Sequence, residues 1–404
     1  MENLKSRFSF LGILLCTSLG LGCSDLTTNT TTPPAAAPSS SPAPTPSTAI
    51  TDPNQSTGNT VVVLGASFTD PIGSLSLVPV NPPRLATTNV QTTHSDASVR
   101  SFGNRLYVVN KLGQDNIQIV DPAKNFSVVL QCSVGKGTNP QQIMVVSPTK
   151  AYVTLYQPED NSSSILTVDD LLIVDPSATS CNSFITRVID LTPLAAADGE
   201  PLARASEMVL IGKKLFVALQ DLPKNLAMAP NQAGKIAVID TDTDIISSSI
   251  PLSGRDPIAM TYSSSSGLIY VADADYFDLT SSFGGIEVVD PTNLKSLGLM
   301  IDDFTLGGAP GDIESSGSKG YVTVGVLDSR SGKYTTKVTS FNLDPTIAPN
   351  LSDVYKGQGY IQDMAIDPNG KLVIGDRDPL INGLLFIDTQ TGNVVDGPIS
   401  TGPS

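Results

Sequence analysis

The chain has 404 residues, with 24 Lys and Arg against 39 Asp and Glu, and a formal net charge of −15. That sign repels nucleic acid and anionic lipid surfaces and argues against both as partners. Twelve Phe, 10 Tyr, no Trp, 33 Gly and 30 Pro make a turn-rich composition, poor in the residues of helical proteins.

The N-terminus reads as an export signal. Lys5 and Arg7 form a basic start, and residues 8–21 follow as an uncharged apolar run of 14. That is short for a membrane-spanning helix and suited to a signal peptide. The run ends in Leu19-Gly20-Leu21-Gly22-Cys23. This resembles a bacterial lipobox, in which a small residue precedes a cysteine that is acylated and becomes the first residue. Leu is usual three before the cysteine, and Gly20 stands there instead. The resemblance implies a signal peptide over 1–22, a lipid on Cys23 and an anchor in the outer membrane, facing periplasm or cell surface. Ser24 resembles the outer-membrane sorting preference. The alternative is an ordinary secretory peptide cut nearby.

Residues 23–60 read as a disordered linker. Residues 26–51 carry no charge, and seven prolines lie between Pro33 and Pro53. A Thr/Ser/Pro/Ala segment cannot bury enough apolar surface to offset chain entropy, and its prolines keep it extended.

Residues 61–404 carry a repeat. Its cassette is clearest at Leu106-Tyr107-Val108-Val109-Asn110, followed by Asn116-Ile117-Gln118-Ile119-Val120-Asp121-Pro122. The closing residue recurs at Asn81, Asp121, Asp175, Asp240, Asp290, Asn342 and Asp388, at intervals of 40 to 65 residues. Such a period marks propeller blades or solenoids. Upstream of each closing residue from Asp121 onward lies Tyr107-Val108, Tyr152-Val153, Phe216-Val217, Tyr270-Val271, Tyr321-Val322 or Val373-Ile374. Four short strands per repeat, parted by turn residues, predict four-stranded antiparallel blades. The motifs resemble YVTN-type and NHL-like bacterial β-propellers, which implies an all-β propeller and says almost nothing about activity. Six repeats are complete. Residues 61–64, 74–80 and 84–88 would serve as the second, third and fourth strands of a seventh blade, with the innermost strand missing. Six blades is the alternative.

Chemistry-bearing residues are few. The recurring Asp reads as turn chemistry and the Tyr/Phe series as packing between blades. His94 is the single histidine, in a polar stretch, and no Gly-x-Ser-x-Gly or Cys-x-x-Cys is present. The glycine-rich run 307–311 reads as a turn between blades. Cys132 and Cys181 remain after Cys16 and Cys23 are assigned to the N-terminus. In an oxidising compartment they point to a disulfide, with two separate buried thiols as the alternative. Asp273, Asp275 and Asp278 put three carboxylates within six residues after a strand, a donor set suited to calcium or merely solvated. Glu207, Asp312, Glu314 and Asp363 fall in first strands, which line the channel.

Loops between second and third strands are longer in the four middle repeats, at 157–169, 220–234, 273–283 and 327–334. They share one face. Two functions follow as expectations: a non-catalytic lipoprotein that binds a protein or glycan through that face, or a lactonase-like hydrolase built on the channel carboxylates.

Overall fold

The computed structural model describes residues 59–66, 70–157, 170–195, 202–222, 233–275, 283–327, 333–378 and 382–402. The signal peptide, Cys23 and nearly all of the linker lie outside these, as does Asp278.

Seven sheets form a seven-bladed propeller, six of four strands and one of three. Blades 1 to 6 span residues 97–133, 140–190, 205–251, 257–302, 309–356 and 361–399, and blade 7 spans 60–94. In blades 1 to 6 the chain starts at one edge of the sheet and pairs each strand with the next. The strands are short because each reach of alternating apolar residues is cut by a turn. Asp240 Oδ1 accepts from Asp242 N–H and Thr243 N–H at 3.0 and 2.9 Å, and Asp388 Oδ1 from Gln390 N–H and Thr391 N–H at 3.0 and 2.9 Å. The recurring Asp therefore caps the turn after the third strand.

Both faces of each blade are apolar because each is covered by a neighbour. The seven apolar clusters among the described residues each join two consecutive blades. The last two close the ring: Val61, Val63 and Val78 of blade 7 pack on Phe386 of blade 6, and Leu75 packs on Leu106 and Val108 of blade 1. The Tyr/Phe series lies in these seams, with Tyr152, Phe216 and Tyr270 wholly buried. Its hydroxyls tie seams together. Tyr321 O–H donates to Thr389 O of the next blade at 2.9 Å, and Tyr152 O–H donates to Asp244 of the next blade. Burying a whole tyrosine contributes about 2 kcal/mol, provided the hydroxyl keeps a partner.

Blade 7 holds strands Thr60–Gly65, Ile72–Pro79 and Thr87–His94. The last leads directly into Ala97, the start of the innermost strand of blade 1. It is thus the outermost strand, and the innermost position is unfilled by described residues. The third of the expected segments, 84–88, is displaced: the strand runs Thr87–His94 instead. Arg84 is drawn out of strand geometry. It donates to Val80 O at 2.9 Å and to Asp396 at 2.7 Å, and lies over the Phe386 ring at 4.1 Å.

Candidate functional site

Four channel residues sit at one structural position. In blades 2, 3, 5 and 6 the pairing of the first strand with the second slips just before Ile143, Met208, Ile313 and Met364. The residues at that bulge are Gln142, Glu207, Asp312 and Asp363. An unpaired bulge residue is free to aim its side chain away from the ladder. The same register fixes which end of the channel they occupy. Pro257, at the start of a first strand, pairs with Asp273, at the end of a second. First strands therefore begin on the face that carries the second-to-third-strand loops.

The bulge residues work across blades. Met208 N–H donates to Gln142 Oε1 at 2.5 Å, and Met364 N–H donates to Asp312 Oδ2 at 2.6 Å. In each case the side chain of one blade holds the inner backbone of the next. Asp312 also accepts from its neighbour Ile313 N–H at 2.9 Å. Glu207 accepts from Gln142 Nε2 and from Arg100, whose guanidinium is 3.3 Å away. Glu314 follows the residue after its bulge, one tier further along the channel, and Arg100 holds the same level in blade 1, where the pairing is unbroken: each lies opposite the Tyr of its second strand, Tyr321 and Tyr107.

Among these described side chains one arginine faces four carboxylates. Burial raises Glu207 above the usual carboxylate range; Arg100 and Lys111 oppose this and Asp363 adds to it. Burial holds Asp312 well above that range, with Asp363 and Glu314 reinforcing it. Burial pulls Arg100 down, but Glu207, Asp363, Asp312 and Glu314 outweigh it and raise the guanidinium. The channel carboxylates expected from sequence are thus brought together. Arg100 and Gln142 were missed, although their place in first strands was a usable signal. His94 is not with them: its Nδ1 lies 3.0 Å from Asp96 O in the turn between blades 7 and 1.

A second acidic group lies at the junction of blades 3, 4 and 5. Asp273 and Asp275 are both fully buried, together with Asp256, Glu287 and Asp303. Glu287 accepts from Ser253 N–H at 2.9 Å, Gly254 N–H at 2.7 Å and Ser296 O–H. Asp273 faces Glu287; burial first, then Glu287, Asp256 and Asp275, hold its carboxyl well above the usual range. The carboxyl fills space that Gly254 leaves, since a Cβ there would lie 2.2 Å from Asp273 Oδ2. Arg255 stands 3.7 Å from Asp275 and lies over the Phe283 ring. Among the described residues no three His, Cys, Asp or Glu are arranged to hold a metal ion. Sequence proximity singled out Asp273 and Asp275 but missed Glu287, the one charged residue inside its strand.

Cys132 and Cys181 are joined, with Cα atoms 5.3 Å apart, so the disulfide staples the outer strand of blade 1 to blade 2. The run 307–311 is a connection between blades. Asp303–Leu306 forms one helical turn, Gly307 ends it at φ 77, and the inner strand of blade 5 starts at Ala309. Only fragments of the four longer loops lie among the described residues.

No protein-family description and no curated protein matches the chain. Solved structures do match it in fold. A putative 6-phosphogluconolactonase from Bacteroides uniformis aligns with TM-score 0.56 and 13% identity, over 85% of this chain and 98% of that one. The periplasmic gluconolactonase PpgL of Pseudomonas aeruginosa aligns with TM-score 0.53 and 12% identity, over 85% and 97%. Hydrazine synthase of Kuenenia stuttgartiensis aligns with TM-score 0.53 and 18% identity, over 73% and 77%. At these identities the likeness is one of fold.

Proposed function

We propose that the protein is an exported binding propeller, anchored through a lipid on Cys23, that recognises its partner at the carboxylate-lined end of its channel. The observation that carries this is the gathering of Glu207, Asp312, Glu314 and Asp363 about a single Arg100, on the face of the longer loops. A site of that charge attracts cations and accepts hydrogen bonds from hydroxyls, and it repels phosphates and carboxylates. The partner class is therefore a basic protein surface or a neutral glycan. Cross-linked pull-down from envelopes tests it: a partner recovered with the wild type should be lost with a Glu207→Gln, Asp363→Asn double variant. Equal recovery removes the channel from the binding site. The anchor is tested separately. Cys23→Ala should move the protein from the membrane pellet to the soluble fraction, and retention at wild-type levels rejects lipidation.

A second reading is hydrolysis of a lactone. Two observations favour it: two fold neighbours named as lactonases, and a channel that gathers four carboxyls. Asp312, whose carboxyl burial holds well above the usual range, is placed to give a proton to a departing ring oxygen while a second channel carboxyl takes one from the attacking water. The charge of the channel restricts this chemistry to unphosphorylated lactones. Turnover of a lactone panel that disappears in Asp363→Asn would place this reading first. Asp363 serves better than Asp312, because Asp312→Ala also releases the Met364 amide.

A further inference from the structure

No described residue fills the innermost position of blade 7, and the edge it leaves is defined. Val80 N–H donates to Asn59 O at 2.8 Å, and Thr60 lies opposite Pro79, which has no N–H to give. Pairing with Ile72–Pro79 therefore uses the backbone of Asn59, Val61 and Val63. The alternate residues, Thr60, Val62 and Leu64, turn their N–H and C=O groups to the other edge. Burial agrees. Thr60–Gly65 has no fully buried residue, whereas the equivalent strand of every other blade is mostly buried. The two inner strands flanking the gap are exposed as well: Ala97–Phe102 has no fully buried residue, and Gln362, Asp363 and Ala365 are open in Ile361–Ile366.

Asp363 gives the position a chemical preference. Its counterparts Gln142 and Asp312 each accept the backbone N–H of the next blade's inner strand. For Asp363 that next strand would be the inner strand of blade 7, a position no described residue fills, and no hydrogen bond to its carboxylate is present among the described residues. The strand that belongs here would present an N–H to Asp363, apolar side chains to Val61 and Val63 on one side and to Val62 and Leu64 on the other. It would also run beside a channel whose acids outnumber its arginine. Residues 24–59 of this chain contain no Lys or Arg, and only Leu26 and Ile50 as large apolar residues. That composition supplies neither the charge nor the apolar pattern.

The geometry points to strand addition: the open inner edge of blade 7 accepts an extended segment of a partner protein, apolar at alternate positions and carrying Lys or Arg toward the channel. This rests on the binding reading above and names the partner's form.

The test uses the full-length protein in detergent and two labelled heptapeptides, one alternating valine with lysine, the other valine with glutamate. Binding is followed by fluorescence anisotropy, and amide hydrogen exchange by mass spectrometry across 59–66. The lysine peptide should bind, more weakly as salt is raised, and slow exchange at Thr60, Val62 and Leu64 at least tenfold. The glutamate peptide should do neither. Val62→Pro should abolish binding; exchange in the wild type stands on its own if that variant misfolds. Lysine-peptide binding that leaves these amides unchanged overturns strand addition and leaves channel recognition standing. Equal protection by both peptides overturns the basic partner and the charge-based reading together. Amides already protected in the free protein, and exposed by deleting residues 24–58, show that the chain fills its own slot and likewise overturn the proposal.

Discussion

Blades 4 and 6 end their second strands with the same pattern, Asp273-Ala274-Asp275 and Asp376-Arg377-Asp378, yet the two first aspartates live in different chemistry. Asp376 Oδ2 accepts from Tyr355 O–H at 2.6 Å and its Oδ1 from Asp378 N–H at 2.9 Å. Asp273 has no such donor. The outer strand behind it offers Ile250 where Tyr355 stands, and the third strand beside it offers Glu287 where blade 6 has Leu385. Two buried carboxyls in contact cannot both stay ionised. Glu287 takes three donors, and burial, with Glu287, Asp256 and Asp275 beside it, holds the Asp273 carboxyl well above the usual range. One Asp-x-Asp pattern thus yields a carboxylate with two donors in one blade and a carboxyl held well above its usual range in another, decided by residues from other strands.

The junctions between blades can be ranked by what removing each device costs. The largest effect is expected where a covalent bond does the work. Cys181→Ser opens a link spanning 49 residues of sequence and should cost about 4 kcal/mol, read as a fall in the denaturant midpoint with a steeper slope, because the unfolded chain expands. An unchanged midpoint would show that the blade 1–2 seam holds without it.

Next, Asp376→Ala strips an acceptor from the buried Asp378 amide and the half-buried Tyr355 hydroxyl and should cost about 2–4 kcal/mol at pH 7. Asp273→Asn should cost almost nothing at acid pH, because an amide can donate to Glu287 as the protonated acid does. Equal losses in both variants would collapse the distinction between the blades.

The pH profile sharpens it. A carboxyl raised in the folded state binds its proton more tightly there than in the unfolded chain. Its contribution is complete below the ordinary carboxylate range and is lost as pH rises through the folded value. Urea titrations from pH 4 upward should show a decline in the wild type that Asp273→Asn flattens. Parallel profiles would mean that no proton is held at Asp273.

The smallest effect concerns calcium, the other way to neutralise this group. An ion at Asp273 and Asp275 would add about 1.4 kcal/mol at ten times its Kd. Thermal unfolding in chelator against millimolar calcium, with Asp275→Asn as control, measures it. A calcium-dependent shift confined to the wild type replaces the proton by a cation; no shift leaves the proton pair.

Much of this molecule was legible along the chain because its repeat is local. Alternating apolar strands, a turn-capping Asp and a Tyr/Phe in the second strand are each satisfied within a few residues, so their recurrence reports blades directly. Even the three described strands of blade 7 could be counted from the segments before Ala97. The carboxylates of Glu207, Asp312, Glu314 and Asp363 were readable as channel residues for the same reason: strand position decides the lining. What they do to one another was not. Arg100 meets Glu207 from 107 residues away, because closing a ring brings first strands together whatever their separation in sequence. The difference between Asp273 and Asp376 was decided in the same way, by side chains across a seam. Hydrophobic alternation and turns are short-range and leave a pattern in the sequence. Which acid meets which donor depends on blade-to-blade packing, and that exists only once the ring has closed.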